Sequence, residues 1–83
     1  MEHTAEWKIK LYLFEHDNGS TAQVVLDTGA NTLHGEGHAG QDPDGRTIPE
    51  IDTELAAGRA LKDLGNRLTE IAATDAASIS VER

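Results

Sequence analysis

Among 83 residues there is no cysteine. That absence excludes disulfide staples, thiolate zinc sites, iron–sulfur clusters and a cysteine nucleophile. Long apolar runs are missing too: nothing approaches the ~18 residues of a membrane span. The first seven residues, MEHTAEW, carry neither the basic nor the apolar region of a secretory signal. The expectation is a soluble, cytoplasmic protein with no membrane partner. Cations are few, with seven Lys/Arg against fifteen Asp/Glu and a formal net charge of −8. Nucleic-acid binding relies on clustered cations and counterion release. A small acidic chain repels nucleic acid at long range unless its few cations share one face. The sequence shows no internal repeat and no low-complexity stretch, and its length sets one domain, 1–83, as the default. So short a chain buries only about 60–65 % of its unfolded surface, which makes oligomerisation a natural source of stability.

What is present is strongly patterned. From Trp7 to Glu15, Trp7, Ile9, Leu11 and Leu13 alternate with Lys8, Lys10, Tyr12 and Phe14. That period of two predicts a strand whose first face is wholly apolar. Asp17-Asn18-Gly19 reads as a hairpin turn, because Asn and Gly tolerate positive φ. The same stretch spells an Asn18-Gly19-Ser20 glycosylation acceptor, which the turn reading displaces in a chain with no secretory signal. A second strand is expected over Thr21 to Asp27, with Ala22, Val24 and Leu26 on one face. After a turn at Thr28-Gly29-Ala30-Asn31, a third is expected from about Thr32 to His38. It would turn Leu33, Gly35, Gly37 and Ala39 inward, where two glycines would let a helix approach closely.

Gly40 to Thr47 reads as a loop interrupted by Pro43 and Gly45. Beyond it Ile51, Leu55, Gly58, Leu61, Leu64, Leu68 and Ile71 recur at spacings of three and four. They predict one amphipathic helix of about 22 residues, ending near Ala73. Thr47 with Glu50 has capping-box spacing, and Asp52 is a second competent cap. Its polar face would carry Asp52, Arg59, Lys62, Asp63, Asn66, Arg67 and Glu70. The core thus spans about 7–73, and the tail 74–83, weakly apolar at Ile79 and Val81, is free to be a loose end, a fourth strand or an arm. The expected fold class is α+β, a three-stranded antiparallel meander with one long helix on one face. Trp7, Ile9, Leu11, Leu13, Ala22, Val24, Leu26 and Leu33 would face Leu55, Leu61, Leu64 and Leu68.

No residue set reads as a catalytic engine, and the expectation is a protein that is not an enzyme. Ser20, Ser78 and Ser80 have no nucleophile context, and three strands with one helix leave little volume for a pocket. Gly35-Glu36-Gly37-His38-Ala39-Gly40 spells a dinucleotide fingerprint, but no helix opens at its last glycine and no second parallel strand follows. Asp42-Pro43-Asp44-Gly45 resembles a calcium loop, yet with Gly45 at the sixth position Gly40 and Ile51 fall where oxygen ligands must stand. His34, Glu36 and His38 share a strand face, but residues four apart on a strand are ~13 Å apart, too far for one zinc ion held at about 2 Å. No cofactor and no metal is expected. Lys8, Lys10, Tyr12 and Phe14 share the outer face of the first strand, a pattern of cations beside stackable rings found in RNA platforms. Val25, Asp27 and Glu36 dilute it, and an apolar patch on a sheet face is more often a protein interface. Tyr12, Phe14 and Val25 are therefore the candidate interface. Lys8, Lys10, Arg59, Lys62 and Arg67 are the candidate nucleic-acid contacts.

The helix start and first turns read Pro49-Glu50-Ile51-x-x-Glu54-Leu55-Ala56-Ala57-Gly58-Arg59-Ala60-Leu61-x-Asp63-Leu64. Upstream stand Trp7, Glu15-His16-Asp17, Gly35-x-Gly37-x-Ala39, and Pro43 with Arg46. Together, over roughly Trp7 to Asp75, these resemble an actinobacterial family of small dsRBD-like domains of unknown function. The resemblance implies a β-β-β-α core, a homodimer, no enzyme activity, and a role like that of a ribosome hibernation factor proposed for a dormancy-associated member. Thr21, Gln23, Val25 and Asp27, and then Gly40 and Gln41, stand where members commonly carry basic residues, which argues against direct RNA binding here. The reading is a small, acidic, non-enzymatic binding or stress-associated homodimer, with a ribosome-associated or RNA-binding module as the alternative.

Overall fold

The computed structural model describes residues 3–40 and 48–81. Three strands, β1 (Lys8–His16), β2 (Gly19–Asp27) and β3 (Thr32–Ala39), precede one helix, α1 (Pro49–Val81). The strands form an antiparallel sheet in the order β1-β2-β3, the expected meander in an α+β fold. Leu11 lies opposite Val24, and Val24 opposite Gly35. Asp17 and Asn18 make the first turn, and Gly19 follows at φ +136, a conformation L side chains rarely adopt. At the second turn the Gly29 amide donates to Asp27 Oδ1 at 2.8 Å, and the Asn31 amide to Thr28 Oγ1 at 3.0 Å. These are the local side-chain bonds that make Asp and Thr turn formers. The expected loop from Gly40, with Pro43, Gly45, Arg46 and Thr47, falls almost wholly outside the described residues.

The core is small. Ala22, Val24 and Leu26 of β2, Ala39 of β3, and Ala56, Ala60 and Leu64 of α1 are buried, with Leu33, Ala57 and Leu68 packed beside them. Gly35 and Gly37 explain where the helix sits. A Cβ on Gly35 would lie 2.6 Å from the Ala60 carbonyl oxygen and 2.8 Å from the Leu64 nitrogen. One on Gly37 would meet the Ala56 oxygen and the Ala60 nitrogen. The α1 backbone therefore rests almost directly on the β3 backbone, with Ala56 and Ala60 as the small residues on the other side of the contact.

That docking corrects the expected core. Trp7, Ile9, Leu11 and Leu13 are not covered by the helix; they remain between 37 % (Leu11) and 54 % (Ile9) exposed. The glycines pull α1 over β2 and β3, so it touches β1 only near the Glu15 end and leaves the apolar face of β1 uncovered. Leu55 and Leu61 are exposed as well. Each three-residue step of the apolar series turns back about 60° around a helix and each four-residue step advances only about 40°. From Ile51 to Ile71 the series therefore winds around the cylinder, and only Leu64 and Leu68 reach the sheet. Asp52, assigned to the polar face, is buried in the first turn. Its amide donates to the Ile48 carbonyl at 2.9 Å, so it lies inside the helix and does not cap it.

The helix also runs further than its expected end near Ala73, as 33 residues to Val81; 74–81 are helical, not a fourth strand. A 33-residue helix is about 50 Å long, whereas nine-residue strands reach only about 30 Å. Its later turns outrun the sheet, which is why residues 69–77 are all exposed. Among the described residues no helix is long and apolar enough to cross a membrane.

Candidate functional site on the uncovered first strand

The two edges of the sheet are treated differently. At the outer edge of β3, the Glu36 amide donates to Asp63 Oδ2 at 3.0 Å, and Arg59 Nη1 donates to the His38 carbonyl at 2.7 Å. Arg67 Nε in turn donates to Asp63 Oδ2 at 3.2 Å. The Glu36 amide bond, and after it the Arg67 guanidinium, hold the Asp63 carboxyl below its ordinary value, against a smaller opposing effect of burial. Helix side chains thus occupy the groups with which β3 would pair another strand, a way of blunting an edge.

Among the described residues β1 has no such cover. In an antiparallel ladder hydrogen-bonded and non-hydrogen-bonded pairs alternate. Because the Glu36 amide points away from β2, Gly35 and its partner Val24 form a bonded pair. Gln23 then points to β1, and Tyr12 and Gln23 bond in turn. The amides and carbonyls of Ile9, Leu11, Leu13 and Glu15 consequently point out of the sheet at its free edge.

Both faces of β1 are open, and all nine residues are exposed. Its inner face carries Ile9, Leu11 and Leu13, continued outward from Leu26, Val24 and Ala22. Arg59 and Asp63 mark the β3 side of α1. The opposite flank of the helix, with Leu61 and Leu68, therefore looks toward β1. One end of this apolar trough is tied by Thr53 Oγ1, which donates to Glu15 Oε1 at 3.3 Å and lies 3.3 Å from Ser20 Oγ. The outer face carries Lys8, Lys10, Tyr12 and Phe14, with half-buried Val25 beside Lys10. Tyr12, Phe14 and Val25 therefore share one open surface, as their alternation implies.

The candidate cations are not gathered. Lys8 and Lys10 lie on the outer face of β1, Lys62 is exposed on α1, and Arg59 and Arg67 are engaged along β3. His16 and His38 lie in a polar row across the outer face. His16 Nε2 is 3.2 Å from Thr21 Oγ1, which is 3.1 Å from His38 Nδ1, and His38 Nε2 is 2.9 Å from Glu36 Oε1. Among the described residues no three His, Asp or Glu side chains are arranged to hold a metal ion. A depression bounded by Gln23, His34, Gly35, Glu36 and Arg67 has a volume of about 220 Å³, below the roughly 300 Å³ at which small-molecule pockets begin.

The helix motif largely records docking. Ala60 and Leu64 are buried, Arg59 and Asp63 serve the β3 edge, and Glu15 and His16 bond at the hairpin end. Pro49 opens α1 with Glu50 in its first turn. Ile51, Glu54, Leu55 and Leu61 are exposed. An open strand edge is one of the surfaces the sequence offers for assembly, but which edge stays free was not legible in it. Its signal lay in pairing Gly35-x-Gly37 with Ala56-x-x-x-Ala60, small against small, which fixes the helix over β3 and leaves β1 outside.

The crystal structure of Rv2632c superposes on this fold with a TM-score of 0.81 at 32 % sequence identity, covering 94 % of each chain. The uncharacterized protein Rv2632c of Mycobacterium tuberculosis (strain ATCC 25618 / H37Rv) is 34 % identical over 68 residues, 82 % of this chain and 73 % of that one. The uncharacterized protein MT1780 of Mycobacterium tuberculosis (strain CDC 1551 / Oshkosh) is 32 % identical over 74 residues, 89 % of this chain and 79 % of that one. With a family model matched over residues 5–83, this chain belongs to the Rv2632c-like family.

Proposed function

We propose that this chain is a non-enzymatic, stress-associated binding protein that works as a homodimer, with β1 as its contact surface. The carrying observation is β1 itself. It has an apolar inner face, an apolar-aromatic outer face and an unpaired edge, all exposed in a chain whose other edge is closed. Exposed apolar surface of this kind marks an interaction site. The stress association and dimeric state also draw on the resemblance carried by the Pro49–Leu64 motif. Sedimentation velocity at micromolar concentration tests the reading. A species of twice 8.9 kDa is expected for the wild type, and a species of 8.9 kDa for Leu13→Lys. A wild-type species that stays at 8.9 kDa at every concentration would refute it.

A dsRBD-like, ribosome-associated module is the second reading, favoured by Lys8 and Lys10 standing beside Tyr12 and Phe14 on an open sheet face. Of the five candidate cations Arg59 bonds the His38 carbonyl and Arg67 bonds Asp63, which leaves Lys8, Lys10 and Lys62 in a chain of net charge −8. Binding to naked double-stranded RNA is expected to be undetectable near ~150 mM salt. Tight binding that falls steeply with salt and is lost in Lys8→Ala/Lys10→Ala would put this reading first.

A further inference from the structure

We propose that His16 and His38 form a two-histidine site for a divalent transition-metal ion, of the copper, nickel and zinc class, on the outer face of the sheet. Glu36 holds His38 from its far side. The proposal is independent of the homodimer reading.

The sheet register brings the two rings together. Within β3, His34 and His38 are too far apart to share an ion, but His16 and His38 meet across the strands. Strands two apart in a sheet are separated by only about 10 Å, a span that two imidazole side chains can close from either side. Thr21 of β2 stands opposite His38. His16, at the end of β1, stands opposite Gly19, which has no side chain to intervene. His16 Nε2 and His38 Nδ1 lie 3.2 and 3.1 Å from the same Thr21 Oγ1. Both nitrogens therefore point at one place. Both rings are exposed, and small rotations would bring them onto an ion held at about 2 Å from each.

The proton positions suit an ion between these two nitrogens. An ionised carboxylate can only accept, so His38 Nε2 donates to Glu36 Oε1 at 2.9 Å. Neutral His38 then carries its lone pair on Nδ1, the nitrogen that faces Thr21. A histidine that binds a metal characteristically donates its other ring N–H to a carboxylate, which fixes the tautomer and makes the ligand atom more basic. Glu36 stands in that position. His16 can carry its proton on Nδ1, which leaves Nε2 as its ligand atom.

The ligand set selects the ion. Imidazole nitrogens suit Cu²⁺, Ni²⁺ and Zn²⁺, whereas Ca²⁺ and Mg²⁺ take oxygen. Cu²⁺ binds most tightly in that series. Among the described residues no third His, Asp or Glu completes a cage. The His38 side chain is 66 % exposed, so water would fill the remaining positions. The site is therefore an open one, able to exchange its ion or to take a further ligand on it. A chain of net charge −8 draws cations toward it.

The test is a Cu²⁺ titration followed by electron paramagnetic resonance, with His3→Asn in every sample so that this histidine does not compete. One ion per chain is expected, with the hyperfine pattern of two imidazole nitrogens. His16→Asn and His38→Asn are each expected to remove one nitrogen from that pattern and to weaken binding by at least about tenfold. Glu36→Gln is expected to weaken binding by about 10–100-fold while both nitrogens remain. His34→Asn is expected to change neither. Without any substitution at the site, Zn²⁺ is expected to shift the ring resonances of His16 and His38 together and to leave those of His34 in place. Binding that survives both His16→Asn and His38→Asn, binding that falls as far with His34→Asn, or a single-nitrogen pattern before substitution would overturn the proposal.

Discussion

Gly35→Ala should be far more damaging than its single methyl suggests. The new Cβ would lie 2.6 Å from the Ala60 carbonyl oxygen, 2.8 Å from the Leu64 nitrogen and 2.9 Å from Leu64 Cβ. Two of these are helix backbone, which cannot swing aside as a side-chain end can. To reach ordinary contact α1 must lift, and a gap of roughly 0.5–1 Å forfeits a quarter to a half of each contact's attraction. The contacts at risk are those of Ala56, Ala60 and Leu64 on Ala22, Val24 and Leu26, most of the buried core. Overpacking of this kind costs about 1–3 kcal/mol and sometimes more. A chain of 83 residues has about 4–12 kcal/mol of stability in all. Gly58→Ala is the control, because nothing lies within 4 Å of a Cβ built there. It sits inside the helix, where replacing Gly by Ala stabilises by about 0.5–1 kcal/mol. Urea unfolding followed by far-ultraviolet circular dichroism should therefore move the two midpoints in opposite directions. A Gly35→Ala midpoint at or above the wild-type value would refute the backbone-on-backbone docking of α1 and β3.

Leu64→Ala is expected to cost about 2–5 kcal/mol by the transfer and cavity terms of a buried leucine, while exposed Leu55→Ala stays within about 0.5 kcal/mol; equal melting shifts would refute the described helix orientation. The Asp63 carboxyl, held below its ordinary value of 3.8 by the Glu36 amide and Arg67, stabilises the fold fully above that value. Its contribution is lost as pH falls through the lower folded value. Asp63→Asn is therefore expected to be less stable than wild type at neutral pH and to converge with it in acid, and a difference that does not change across an acid titration would refute this.

Much of the fold was legible because hairpin and helix signals are local. Alternation at Trp7–Phe14, the Asn18-Gly19 turn and the change of period after the loop each depend on residues close in the chain. β1 begins at Lys8 and β3 ends at Ala39, within a residue or two of the expected bounds. Which apolar surface would be buried was less legible. Alternation reports that one face of β1 is apolar; it carries no information on what covers that face. The helix series misled for a related reason. Ile51 and Leu55 are apolar and correctly spaced from their neighbours, yet the accumulated rotation carries them to the solvent side. The end of α1 was missed because 74–81 has no strong stripe, and a helix that has outrun its sheet needs none.

The same geometry explains why alternation alone mistakes an exposed apolar face for a core face. Ile9, Leu11 and Leu13, a quarter of the expected core, are chemically indistinguishable from core residues. In a single chain they lie uncovered because Gly35 and Gly37 admit the helix backbone onto β3. Had those positions carried side chains, α1 would have stood farther from β3 and free to sit over the centre of the sheet, where it would shield β1. Docking it off-centre has two coupled effects. It brings Arg59 and Asp63 to the outer backbone of β3, closing that edge, and it strips cover from β1, leaving the other open. One pair of glycines thus makes the sheet directional: one edge withdrawn from pairing, the opposite edge and its apolar face presented together. A helix centred on the sheet would have buried more apolar surface within one chain. The off-centre position leaves that surface outside the contact between α1 and the sheet.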